Sequence, residues 1–504
     1  LFIVLNVTLE KTATAPNRTI IVGAGMAGLA ASIALSSKGE DVTLLETRDY
    51  PGGKMREISS KAGGIDSGPT VFTMKYIFDE LFETAGSRVE DHVTLEKADV
   101  LARHAWDKSG HFDLFADRQR SVESIETFFG AENAQGYQNF CKDAGAIFNT
   151  LRETMIGAQR PSPLELSKRI GFINIRALLG LKPLNTLWGA LGQYFPDQRL
   201  QQLFGRYATY VGSSPYLAPA TLMLIAHVEQ EGVWFIKGGM HKLAKAMQDL
   251  AKLQGVKYRD NSCVKNIMVQ NGKVGGVILE EGEILTANKV IYCGDVSALT
   301  PEFLSNKTIG KYQVPRNKRS LSALTWSMTA KTNGMDLHRH NVLFSDDYKL
   351  EFDSIFKQGN IPKKPTLYIC AQDRNDQFEK TCEGEEERLL CLVNSPAFGD
   401  ERNLSLDELQ SCSDDMMKIA DQCGLEIKPS QQTITQASQF EKLFPGSGGA
   451  LYGRASHGWT ASFARAGAET KISGLYLAGG SVHPGPGVPM ATMSGMLAAE
   501  KILA

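Results

Sequence analysis

Apolar positions change their period several times along this chain. Ile20–Val22 is a short β-branched run, as expected of a strand buried on both faces. Leu29, Ala30, Ile33, Ala34 and Leu35 follow with helix-compatible spacing, and Val42, Leu44 and Leu45 predict a second strand. Phe78, Leu81 and Phe82 stand at i, i+3 and i+4, one face of another helix. Val100–Trp106 and Phe112–Phe115 flank Lys108-Ser109-Gly110 as a hairpin. Residues 121–160 read as helical, with Phe128, Phe129, Tyr137, Phe140, Ile147 and Phe148 buried. From residue 256 alternation returns in Val256/Tyr258, Ile267/Val269 and Val277/Leu279, with Asn271-Gly272 as a hairpin turn. Val290–Tyr292 predicts a buried strand. Ser322–Met328, Val342–Phe344, Thr366–Ile369 and Leu389–Val393 predict a further sheet, and residues 405–424 a helix. A short strand ending at Gly479-Gly480 and a helix from about Val488 to Leu503 close the chain. The class is α/β.

The first of these units carries specific chemistry. Gly23, Gly25 and Gly28 fall in G-x-G-x-x-G spacing between strand and helix, with Met26 and Ala27 inside the turn. Gly23 permits the tight turn, Gly25 lets backbone approach a pyrophosphate, and Gly28 lets helix and strand pack closely. The helix N-terminus offers free amides to the phosphates. Glu46 ends the second strand, placed to accept hydrogen bonds from an adenosine ribose. Strand, helix, strand and acid together predict a dinucleotide site.

Other segments extend that site. Pro51-Gly52-Gly53 is a turn followed by Lys54 and Arg56, which either clasp the pyrophosphate from its other side or form a solvated basic loop. Residues 63–74 leave backbone bare at Gly68 and Thr70, as a lining for cofactor or substrate, or as an ordinary turn. Val264 stands where backbone meets an adenine ring. Gly480, Val488, Pro489 and Met490 place a second helix N-terminus opposite an anion or the electron-rich edge of a reduced ring. Gly238-Gly239 before a helix from His241 marks a close backbone approach or a turn.

Residues 161–236 are dense in leucine, with Lys168, Arg169, Arg176, Lys182 and Trp188 among them. Gly and Pro interrupt them too often for a membrane span, but an interfacial helix or an ordinary helical cap both fit. The 504 residues exceed a single core and suit two or three domains. A net charge of −2 without any basic block argues against a nucleic-acid partner. The eight cysteines form no C-x-x-C pair, so no metal site is expected, and their scatter suits a reducing compartment. The charge run Glu383–Arg388 reads as a solvated face, and residues 1–18 as lying outside the fold proper.

GAGMAGLAASIAL, ETRDYPGGKM, GIDSGPTVFTM, FIKGGM and GLYLAGGSVHPGPGVPMATMSG together resemble the flavin-dependent carotenoid (phytoene) desaturases. The Val71-Phe72-Thr73-Met74 variant, with LARHAW and the long SVHPGPGVPMA loop, is most similar to the 1-hydroxycarotenoid 3,4-desaturases, or methoxyneurosporene dehydrogenases. The resemblance implies a Rossmann-like FAD-binding domain assembled from both chain ends (19–75, 256–300, 440–504). It implies a mixed-sheet substrate domain (76–120, 301–439) and a helical, membrane-facing cap (121–255). It further implies that Glu46 binds ribose, that Arg56 neighbours the pyrophosphate, and that Gly479–Ala491 faces the flavin. The expected reaction is FAD-dependent desaturation of a long acyclic carotenoid, with hydride passing to flavin N5 and oxygen or a quinone as final acceptor. The expected location is cytoplasmic, peripheral at the inner membrane. Phytoene desaturation, flavin-dependent isomerisation, amine oxidation and a non-catalytic flavin-binding scaffold are the alternatives. His457 and His227 are candidate proton carriers, each also readable as structural.

Overall fold

The computed structural model describes residues 17–108, 110–171, 174–305, 312–375 and 385–504, with the side chains of 175–177 left aside. The segment 1–16, the hairpin position Ser109 and part of the charge run lie outside these residues.

A five-stranded parallel sheet runs in the order Lys257–Arg259, Asp41–Leu45, Arg18–Val22, Lys289–Tyr292, Leu475–Leu477. It is Rossmann-like and draws on both ends of the chain. Its apolar runs are continuous because both faces are covered. Ile21, Val42, Leu44 and Ile291 pack against the helices Met26–Ser36, His241–Leu253 and Val488–Leu503. Their neighbours Ile20, Leu45, Val290 and Tyr292 pack against an antiparallel sheet of Val264–Gln270, Lys273–Leu279 and Ile284–Thr286. The Asn271-Gly272 turn of that sheet has φ of 52° and 75°, the left-handed pair a two-residue hairpin needs.

A seven-stranded sheet follows the order Leu425–Thr435, Ser322–Gly334, Glu387–Ser395, Leu367–Ala371, His340–Leu343, Val100–Asp107, Gly110–Phe115. All its pairings are antiparallel except His340–Leu343 with Val100–Asp107. One face (Leu324, Trp326, Met328, Leu389, Cys391, Val393) packs on Met416, Ile419 and Ala420 of the helix Leu406–Gln422. Ser405 and Glu408 close that helix with a capping box. The opposite face carries Thr325, Tyr368, Leu390, Leu392 and Asn394 to a cavity. Alternation along each strand thus separates core from cavity wall.

Helices Arg118–Phe129 and Ala131–Leu151 and a string of short helices to Glu231 form the third region, with Tyr137, Phe140, Leu187 and Leu191 in its core. Two sequence expectations meet observations here. Trp188, half-buried, packs on Tyr216, ring centres 4.6 Å apart, as in an ordinary helical cap. The charge run is not simply solvated, because Glu387 is fully buried against Arg374 at 2.7 Å and Arg388 pairs with Asp373 at 2.6 Å. Among the described residues no helix is long and apolar enough to cross a membrane.

Candidate functional site: a cofactor cleft continuous with an apolar cavity

The strand Arg18–Val22 ends in the glycine turn, and the Gly23 amide donates to the Leu45 carbonyl at 2.8 Å. A Cβ at Gly28 would overlap the Gly23 carbonyl oxygen. The helix therefore starts tight against the strand, and its cap, Gly25, supplies no side-chain hydrogen bond. The first-turn amides have no helical partner and stand at the cleft. Gly52-Gly53 lies back to back with this turn: the Gly52 amide donates to Ala24 at 2.9 Å, and a Cβ at Gly53 would come 3.2 Å from Gly25 Cα. Glu46 accepts from the amides of Ala24 (2.8 Å) and Arg48 (3.1 Å) and is 7% exposed.

The second helix N-terminus, capped by Gly487, has Pro489 in its first turn and again no side-chain cap. Its helix lies against the first one so closely that a Cβ at Gly495 would overlap the Ala27 carbonyl. Both helix starts face one cavity of about 1940 Å³. Gly23, Gly25, Met26, Ala27, Glu46, Gly53, Lys54, Gly68, Thr70, Val264, Gly480, Val488, Pro489 and Met490 all line it. Gly28 stands behind the turn, where its role is packing.

Arg56 does not reach the cleft. It is 6% exposed, donates to Thr435 Oγ1 at 3.3 Å and stacks 5.5 Å from the Phe440 ring. Arg48 lines the cavity instead, donating to the Leu443 carbonyl over the Phe444 ring. Neither candidate histidine lines the cavity. The His227 ring packs on Phe148 at 5.0 Å, with Nε2 3.5 Å from Glu231. His457 accepts the Ser214 amide at 3.2 Å and meets Phe356 edge-on at 4.6 Å; burial pushes it down to about 4, so it stays neutral. The Gly238-Gly239 approach is to a carboxylate within the protein: Asp66 accepts the amides of Met240 (2.6 Å) and His241 (3.3 Å).

Three further groups complete the cleft. Asp295 stands just past the strand Lys289–Tyr292, on the other side of the strand Arg18–Val22 from Glu46, and its Oδ2 is buried without a protein partner among the described residues. Arg465 donates to the carbonyls of Tyr452 (3.0 Å), Gly480 (3.1 Å) and Arg454 (2.8 Å), and burial lowers it to about 10. Burial likewise lowers Lys54, against the pull of Asp295. Two amide-rich helix starts, buried cations and carboxylate acceptors at strand ends are the donor set a dinucleotide with a pyrophosphate requires. Beyond the cleft the walls are apolar: Leu151, Leu166, Ile170, Leu178, Leu181 and Leu222.

A match to the flavin-containing amine oxidoreductase family covers residues 26–503. The chain belongs to this family. It is an oxidoreductase with FAD as its cofactor. It is 47% identical to hydroxyneurosporene desaturase of Rubrivivax gelatinosus, over 97% of this chain and 93% of that one. A 1-hydroxycarotenoid 3,4-desaturase of Flavobacterium sp. is 30% identical over 96% and 99%. The hydroxyneurosporene enzyme is thus more similar than the subfamily expected from the sequence. Putrescine oxidase shares the fold, with a TM-score of 0.59 at 13% identity over 97% of this chain and 99% of that one. FAD fits the cleft, since every glycine where backbone must come close is present.

Behind the cavity-lining Thr366 and Asn394 lies a buried group with a usable titration. Glu351 accepts from the Thr366 amide (3.0 Å), Thr366 Oγ1 (2.7 Å) and Asn394 (3.1 Å), and burial raises it from 4.5 to about 7. Between those pH values the folded chain keeps a proton that the unfolded chain has lost. Stability from this group therefore falls as pH rises from 4.5 to about 7, by about 3 kcal/mol, and is level above. Glu351→Gln is expected to remove that part of the slope. Urea midpoints on either side of the interval, wild type against variant, check it.

Proposed function

We propose that the protein desaturates a long acyclic carotenoid, by 3,4-desaturation of a 1-hydroxycarotenoid. The observation that carries this reading is the single cavity joining the FAD cleft to apolar walls. Its volume is roughly twice the upper end of the range of about 300–1,000 Å³ for small-ligand pockets. A dinucleotide and a rod-like polyene together need that space. The names of the two desaturase relatives point the same way.

Bound FAD supplies the hydride acceptor. The chain's part is to hold the polyene across the cofactor with Leu390, Leu392 and Ile225 against it, to exclude water, and to leave the second hydrogen to depart as a proton. Residues 19–75, 256–300 and 440–504 serve the cofactor in this reading, 76–120 and 301–439 the substrate, and 121–255 the entrance. The electrons then pass to oxygen or to a membrane quinone.

The test is anaerobic. The FAD-loaded protein is mixed with liposomes carrying phytoene or a 1-hydroxylated acyclic carotenoid, and flavin bleaching and the polyene's red shift are followed. Both signals with the hydroxylated substrate alone are expected. Signals with phytoene alone move the assignment to the earlier desaturation, and an isomerised polyene without net bleaching overturns desaturation.

The entrance lies on a bilayer in this reading, peripheral at the cytoplasmic face of the inner membrane. Leu164, Leu179 and Leu184 are 71%, 67% and 90% exposed. Each neighbours cavity-lining Pro163, Leu178 or Pro183 in sequence. Exposed leucines beside cavity-lining positions suit contact with a membrane surface. The triple replacement of Leu164, Leu179 and Leu184 by serine is expected to lower vesicle binding about 1,000-fold or more, at about 1.5–3 kcal/mol for each fully buried leucine. Flotation with vesicles checks it, and turnover of detergent-dispersed substrate should remain.

A further inference from the structure

We propose that Arg206 is the subsite that takes the terminal hydroxyl of the substrate, and so fixes which end of the polyene meets the cofactor. This rests on the reading above. Arg206 ends the helix Gln198–Gly205 and stands on the wall of the large cavity. Its guanidinium lies between the rings of Tyr210 (5.2 Å) and Tyr368 (5.3 Å). Its hydrogen bond within the protein runs from Nη1 to the Tyr210 hydroxyl at 3.1 Å, and among the described residues no carboxylate pairs with it directly. The nearest balancing charge is one step removed: Glu229 accepts from the hydroxyls of Tyr210 (3.0 Å) and Tyr207 (2.7 Å).

Arginine carries five N–H donors in a fixed fork and accepts nothing. Here the guanidinium has one hydrogen bond to protein among the described residues and stands on a cavity that Leu222, Ile225, Leu390 and Leu392 line beside Tyr348 and Tyr368. A cation without its full set of acceptors is costly in such surroundings. An oxygen acceptor arriving with the ligand relieves the cost. Tyr348 stands on the same wall, 3% exposed, with its hydroxyl buried and without a protein partner. It adds a second group able to bind a hydroxyl.

Position supports the assignment. The Tyr368 hydroxyl bonds Thr70 Oγ1 at 2.6 Å, and Thr70 belongs to the bare turn that also lines the cofactor cleft. The polar cluster is therefore at the cofactor end of the cavity, not at its far end. In a 1-hydroxylated chain the C3–C4 bond is within three covalent bonds of C1, hence within about 5 Å of the hydroxyl oxygen at roughly 1.5 Å per bond. A hydroxyl held at Arg206 brings that bond to the cofactor and sends the remaining polyene along the apolar walls. A substrate lacking the hydroxyl leaves the guanidinium unpaired and is discriminated against for that reason.

The experiment compares the FAD-loaded wild type with Arg206→Gln on a 1-hydroxylated acyclic carotenoid and its 1-deoxy analogue in vesicles. The wild type is expected to favour the hydroxylated substrate in kcat/KM. Arg206→Gln is expected to lower that preference about 10- to 100-fold, mainly through a higher KM for the hydroxylated substrate, with the deoxy analogue turned over at least as well as before because no guanidinium is left unpaired. A wild-type preference that survives Arg206→Gln overturns the subsite and leaves the desaturase reading standing. A wild type that turns over neither substrate overturns both. Where Arg206→Gln fails to retain flavin, the 1-methyl ether is tested on the wild type. The ether still accepts a hydrogen bond and no longer donates one, so it is expected to keep most of the advantage over the deoxy compound. An ether that behaves as the deoxy compound overturns the proposal.

Discussion

Gly28→Ala is expected to abolish FAD retention. The added Cβ falls on the Gly23 carbonyl oxygen, with the carbonyl carbon at 3.1 Å and Ile21 Cγ2 at 3.4 Å. Both obstacles are fixed. The carbonyl belongs to the turn itself, and Ile21 is fully buried in the parallel sheet. The helix must slide away from the strand, and its N-terminal amides then no longer meet the pyrophosphate at hydrogen-bonding distance. Overpacking against backbone costs about 3 kcal/mol in stability. The effect on FAD is larger, because several charge-assisted hydrogen bonds depend on one helix position. The flavin absorbance retained per protein after desalting measures it. Gly180→Ala, where a Cβ meets open space, is the control and should retain flavin as wild type does. A Gly28→Ala protein that keeps stoichiometric FAD would show that this turn does not carry the pyrophosphate.

The turn was readable from sequence because every part of it is local. Strand, glycines, helix, second strand and Glu46 fall within one unit, and their spacing determines which atoms meet. The C-terminal helix start was readable for the same reason. What joins distant segments was not. Gly495 looks like an ordinary helical glycine until Ala27 of the first helix is seen packed against it. Asp295 had a signal, an acid just past a strand beside the first, but only the sheet order makes the parallel with Glu46 visible. Arg48 and Arg56 flank the same turn, and sequence does not say which of two arginines faces the cleft. The histidines misled for another reason. A residue type alone carries no environment, and His227 and His457 are occupied by Phe148 and by a backbone amide. Arg206 went unnoticed because nothing adjacent in sequence marks it; its meaning comes from Tyr368, on a strand of the other sheet.

Glu387→Ala is expected to be the most destabilising single change in the seven-stranded sheet, at about 3–5 kcal/mol. Glu387 opens the strand Glu387–Ser395 with no exposed surface. Its carboxylate accepts from Arg374 Nε at 2.7 Å and Nη2 at 2.9 Å, and from the Thr332 hydroxyl on the neighbouring strand. Alanine removes both carboxylate oxygens from Arg374, which is 11% exposed and otherwise reaches Thr332 Oγ1 at 3.4 Å. The consequence reaches the cavity along the strand. Leu390, Leu392 and Asn394 form part of its wall, and they are held in register by pairing with Ser322–Gly334 on one side and Leu367–Ala371 on the other. Loosening the first residue frees that register from one end. Turnover should therefore fall with stability while FAD affinity, set in the other sheet, stays near wild type. Urea unfolding read by tryptophan fluorescence, beside flavin titration of the same samples, separates the two. The conservative Glu387→Gln should recover part of the loss, because an amide oxygen still accepts from Arg374 although the charge is gone. A variant that loses FAD in step with stability would mean that the two sheets unfold as one unit.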